Sequence, residues 1–121
     1  MTQTPANEAQ ALFQRWIDEV WNGYPEAARA LVTEDFVGHW PDYEVRGPDE
    51  LVAAIAETHD IADSAHFEIE VGPFAAGDLV AGRWRGRLDT PGGEARFVGN
   101  DILRIRDGRF AEYWNAATQL D

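Results

Sequence analysis

The residue best placed to do chemistry is an aspartate set in an apolar strand. In Gly99-Asn-Asp101-Ile-Leu-Arg-Ile-Arg106 the side chains alternate between two faces. Asp101 shares its face with Gly99 and Leu103, while Arg104 and Arg106 take the other. A carboxylate turned toward apolar neighbours is costly to bury unpaired, and its pKa rises. Such a group is either held structurally, by an arginine or a hydrogen bond to a neighbouring hydroxyl, or functional. His39 is the second candidate: a histidine near an apolar strand end can move protons near neutral pH, or simply bond to backbone. Trp84, on the apolar side of its strand between Gly82 and Gly86, reads as a pocket wall or a core ring. Trp40, Tyr43 and His59 are further candidates for contact with a ligand.

These residues need a scaffold, and the period of the hydrophobic pattern supplies one. Ala9, Leu12, Phe13, Trp16, Ile17 and Val20 recur at helical spacing, predicting a helix over 5–22. Thr4 would cap it, Pro5 suits its first position and Gly23 ends it. Pro25 opens a short second helix. Residues 35–40 read as a strand, with a brief return at 43–46 after the Pro41-Asp42 turn. A third helix spans 48–60, with Asp49 and Glu50 in its first turn. The period then changes to two. Strands are expected at 66–71, 78–89, 94–106 and 109–117, with Asp107-Gly108 as a hairpin turn. This order means an α+β fold in which a curved antiparallel or mixed sheet is covered on its concave face by three helices. One domain over 1–121 accounts for the whole pattern.

Composition removes many chemistries. The chain has no cysteine, so thiolate catalysis, disulfides and zinc–thiolate sites are excluded. Its ten basic residues are all arginine, which excludes Schiff-base lysine chemistry. The lone serine, Ser64, stands outside any G-x-S-x-G pattern. His59 and His66 lie on different elements, and no metal site is expected. A net charge of −12 disfavours nucleic acid and anionic membranes. No apolar run approaches the roughly 18 residues of a membrane span. The first residues lack a basic segment followed by an apolar one, so a cytoplasmic location is expected.

Three segments carry a resemblance. Glu19-Val-Trp-Asn-Gly23, Asp35-Phe-Val-Gly-His39 and Gly47-Pro-Asp-Glu-Leu51 look like the first half of a SnoaL-like polyketide cyclase. Gly99-Asn-Asp101-Ile-Leu-Arg-Ile-Arg-Asp-Gly108 with Glu112-Tyr-Trp-Asn115 resembles that family's ending. The family belongs to the nuclear transport factor 2-like superfamily. The resemblance implies a cone-shaped α+β barrel with a pocket at its open end, a homodimer, and acid–base chemistry without a cofactor on a small hydrophobic molecule. It matches Asp101 and His39 to the family's polar site positions. Asn115 matches a position where related cyclases often carry an acid that serves as base; an amide cannot do so.

Two functions follow from the sequence. In the first, Asp101 and His39 catalyse proton transfer on a small carbonyl compound held by Trp84, Trp40, Tyr43, His59 and Asn115. In the second, the same cone binds a hydrophobic ligand, or dimerises as a scaffold, without chemistry.

Overall fold

The computed structural model describes residues 5–120. The expected cap at Thr4 lies outside them. Helix α1 spans Ala6–Arg15 and begins directly after Pro5. It buries Ala9 and Phe13 and then widens into a π-helical segment, Trp16–Trp21, where the Asn22 N–H bonds the Ile17 carbonyl. One π turn resets the helical phase. Trp16, Ile17 and Val20 become buried, and Trp21 is half-buried beside them. The short second helix is a single 3-10 segment, Pro25–Ala30.

Strand β1 (Val32–His39) begins three residues earlier than the spacing predicts, and β2 (Glu44–Arg46) pairs with it antiparallel. Helix α2 (Gly47–Asp60) follows these strands and buries Leu51, Val52 and Ile55. The Glu50 carboxylate accepts the Arg46 backbone N–H at 2.9 Å, closing the N-terminus of α2. The helical part is therefore α1 with its π extension, one 3-10 segment, and α2 inserted after the first two strands. The three expected helices are thus two long elements and one short 3-10 segment, in the expected order.

Strands β3 (Ser64–Ala76), β4 (Leu79–Thr90), β5 (Gly93–Arg106) and β6 (Arg109–Leu120) form the meander. β3 continues past Gly72-Pro73, where the sequence predicts an interruption, by shifting register between Ile69 and Val71 and again before Phe74. Asp107 and Gly108 both take positive φ, 54° and 79°, as the Asp-Gly hairpin signal requires. The six strands make one mixed sheet in the order β2-β1-β6-β5-β4-β3, with β1 parallel to β6. Phe13, Trp16, Phe36, Leu51, Ile55 and Phe110 are fully buried between this curved sheet and the helices. No helix among the described residues is long and apolar enough to cross a membrane.

Candidate active site

A cavity of about 250 Å³ opens between the sheet and the helices, and every long strand of the meander contributes to its wall. Ile17 and Trp21 reach it from the π segment, Thr58 from α2, Phe67 from β3, and Trp84 and Leu88 from β4. The Asn22 side-chain amide bonds both the N–H and the C=O of Phe67, each at 2.6 Å, and so ties the end of the helical segment to the cavity wall.

Asp101 stands in this wall and is 1% exposed. The β5–β6 register sets it opposite Asn115. Its Oδ1 accepts the Tyr113 hydroxyl at 3.0 Å and the Asn115 amide at 3.1 Å. The same amide donates to the Tyr113 oxygen at 3.0 Å, so the three side chains form a closed triangle. Burial pushes the Asp101 carboxyl up to about 6. The neighbouring donors of Trp84, Tyr113, Asn115 and Trp16 oppose the rise only in part. The two indole N–H groups lie close enough to favour the charged carboxylate, yet neither meets an acceptor in hydrogen-bonding geometry. Each therefore counts as a nearby dipole and not as a bond. The phenol of Tyr113 is held well above 10 by burial and by the Asp101 charge, so it remains a donor.

The other predicted residues divide. Trp84 lines the cavity and is 8% exposed. The space over the flanking glycines is already taken: a Cβ on Gly82 would meet the Phe13 ring at 2.8 Å, and one on Gly86 would meet Phe67 at 2.7 Å. Trp40 and Tyr43 stack at 5.4 Å with an angle of 3°, forming one flat wall. Trp40 also meets Tyr113 edge-on at 5.1 Å. Asn115 completes the triangle at Asp101 and is part of the lining.

Two histidines lie elsewhere. His39 does not join Asp101. Its Nδ1 is 3.1 Å from Glu44 and its Nε2 is 2.8 Å from Glu112, and its ring stacks on Trp114 at 5.6 Å. Alternation explains the placement: buried Phe36, Gly38 and the cavity residue Trp40 take one side of β1, so His39 takes the other. His59 donates from Nε2 to the Trp21 carbonyl at 2.9 Å and borders a separate polar hollow with Asn22 and Ser64. Among the described residues, no three His, Asp or Glu side chains gather as a metal ligand set.

Tyr113 was not among the expected site residues. The signal was present: it shares a face of β6 with Asn115, two residues on, and that face meets Asp101. Trp21 was missed although it stands four residues after Ile17, at the edge of the buried stripe.

The comparisons with known proteins agree with this architecture. A candidate polyketide cyclase from Bacillus cereus ATCC 10987 is 28% identical, with a TM-score of 0.82 over 97% of this chain and 78% of that one. A candidate SnoaL-like polyketide cyclase from Jannaschia sp. CCS1 is 17% identical, with a TM-score of 0.82 over 97% and 90% of the two chains. An LEH-like epoxide hydrolase from M. tuberculosis is 16% identical, with a TM-score of 0.75 over 93% and 84%. No curated protein matches the sequence. The sequence pattern of the SnoaL-like domain covers residues 13–113, and the chain belongs to the SnoaL-like domain family.

Proposed function

We propose that the chain is a cofactor-independent proton-transfer enzyme of cyclase or isomerase type, acting on a small apolar carbonyl compound with Asp101 as general base. One observation carries the reading: a buried carboxylate raised to about 6 in the wall of an aromatic cavity. Such a group is mostly ionised at pH 7, yet more basic than a surface aspartate, which is the poise a base needs near neutrality. The chain's membership of a family with cyclase-like neighbours supports the class of chemistry and leaves the substrate open.

The step balances without a cofactor. A C–H bond next to the substrate carbonyl breaks, its proton passes to Asp101, and its electron pair moves to the carbonyl oxygen. Tyr113 and Asn115 hold the carboxylate in place. The Trp84 indole N–H, buried without an acceptor, lies close enough to the carboxylate to favour its charged form. Return of the proton to another carbon gives isomerisation; attack of the enolate carbon on a second carbonyl, whose oxygen takes the proton back from Asp101, gives ring closure. His39, bound between two glutamates away from the lining, has no part in this step.

The test is turnover of a panel of diketones and β,γ-unsaturated ketones by wild type and Asp101→Asn. Loss of about 10²–10⁴-fold in kcat/KM in the variant supports the assignment. Full turnover by the variant overturns it. The second reading, binding without chemistry, is favoured by the amide at Asn115. It predicts ligand binding by wild type with no turnover of any bound carbonyl compound.

A further inference from the structure

We propose that the Asp101 cavity binds small hydrophobic ammonium ions, the positive head facing the Asp101 carboxylate and the surrounding aromatic rings. The inference shares with the proposed function only the placement of Asp101 in the wall, and it needs no turnover.

The first ground is a charge without a counter-charge. Every group that stabilises the Asp101 carboxylate is a neutral donor: Trp84, Tyr113, Asn115 and Trp16. The arginine ion pairs of the described residues lie on other acids, at exposed positions. A buried anion without a cation is completed by a ligand that brings one.

The second ground is the wall. Seven of the thirteen lining residues are aromatic, against one charged residue, Asp101. Aromatic faces attract cations, and quaternary ammonium groups are recognised by such cages. The stacked Trp40–Tyr43 pair presents a flat face on one side, and Trp84 and Phe67 meet edge-on at 5.5 Å on another. Methylated ammonium suits this surface better than a primary amine, because the wall offers few acceptors for N–H groups. The cavity, at about 250 Å³, lies just below the roughly 300–1,000 Å³ of drug-sized sites, so the ligand is small.

The third ground is the approach. The Tyr43 phenol is pushed up by burial and by the charges of Glu57 and Asp42, which places two carboxylates near this part of the cavity. With a net charge of −12 on the chain, the field around the site draws cations inward.

The experiment titrates the full chain with phenyltrimethylammonium and with its uncharged carbon isostere, tert-butylbenzene, following tryptophan fluorescence. At pH 8 the cation is expected to bind at least about tenfold tighter than the isostere. Its affinity should fall as the pH is lowered through about 6 and Asp101 takes up a proton. Tyr113 and Tyr43, the other titratable residues of the lining, are both held protonated over that range, and Glu57 and Asp42 lie outside the lining, beside Tyr43. The isostere should show no such fall. Asp101→Asn should remove the preference for the cation, and Trp40→Ala should weaken it. Equal affinity for the two probes at pH 8, no binding of the cation, or an affinity unmoved between pH 5 and 8 overturns the proposal. The pH series uses wild type, so it decides the matter even if a variant fails to fold. Ammonium binding with no turnover of carbonyl compounds removes only the proposed function. Turnover with no preference for the cation removes only this inference.

Discussion

Gly99 lies directly beneath the indole of Trp84: a Cβ built on it would stand 2.3 Å from Cζ2. The two residues face each other across the β4–β5 ladder, so the ring lies over its partner's bare backbone. Gly99→Ala therefore has no room unless the indole moves. Overpacking of this kind costs about 1–3 kcal/mol. We expect a lower melting temperature, read by circular dichroism, together with altered tryptophan fluorescence as Trp84 shifts. A variant that melts like wild type would mean that the ring relocates freely.

Asp101 makes stability depend on pH in the sense opposite to a salt-bridged aspartate. Its folded pKa, about 6, lies above the ordinary 3.8, so between these values the folded state holds the proton more firmly. Its contribution is most favourable below about 3.8, is lost as the pH rises through about 6, and is level above that. The full difference is on the order of 3 kcal/mol. Other carboxylates, such as Asp35 beside Arg106, are held low and act in the reverse sense, so the comparison must be with Asp101→Asn. Denaturant unfolding at pH 4, 6 and 8 should show the Asn variant gaining on wild type as pH rises. A constant gap would show that Asp101 does not titrate in this window.

Tyr113→Phe removes one donor from the Asp101 carboxylate and leaves the Asn115 amide in place. The carboxyl should rise further, and the pH–rate profile of any turnover should move toward alkaline pH. Loss of one bond to a buried charged acceptor costs about 1–3 kcal/mol. An unchanged profile would separate Tyr113 from the base.

His39→Ala should change little. The ring is about 29% exposed, and its contacts with Glu44 and Glu112 are surface pairs of small worth, about 0–1 kcal/mol. Ligand binding in the cavity and any turnover should survive. A large loss of turnover would return His39 to the chemistry.

Alternation made the sheet readable. Asp101 among Gly99 and Leu103, and Trp84 among Gly82 and Leu88, point inward as the spacing requires, because a period of two leaves no other side for them. The Asp107-Gly108 turn was equally plain, since both residues tolerate positive φ. What escaped was set by geometry that the sequence does not spell out. The helix ends in a π segment, and Trp21, at the edge of the buried stripe, reaches the cavity from it. Register shifts carry β3 through Gly72-Pro73. His39 was drawn toward the site by its chemical type, although the inward positions of Phe36, Gly38 and Trp40 already assigned it to the opposite side. Tyr113 was passed over because a tyrosine in an apolar strand reads as core, and its hydroxyl gains meaning only from a partner on the adjacent strand.

The parallel pairing of β1 with β6 bears on how the domain comes to exist in time. Hairpins β3–β4, β4–β5 and β5–β6 join neighbours in sequence, whereas β1 meets β6 across the whole intervening chain. Such a closure is entropically late and slow. Tyr113 and Asn115 ride on β6, in the arm that must seat against both β5 and β1. The β5–β6 hairpin sets both donors beside Asp101 early, whereas the burial that raises its carboxyl needs the rest of the fold closed over it. Its elevated proton affinity should therefore appear with that closure and not with the hairpins.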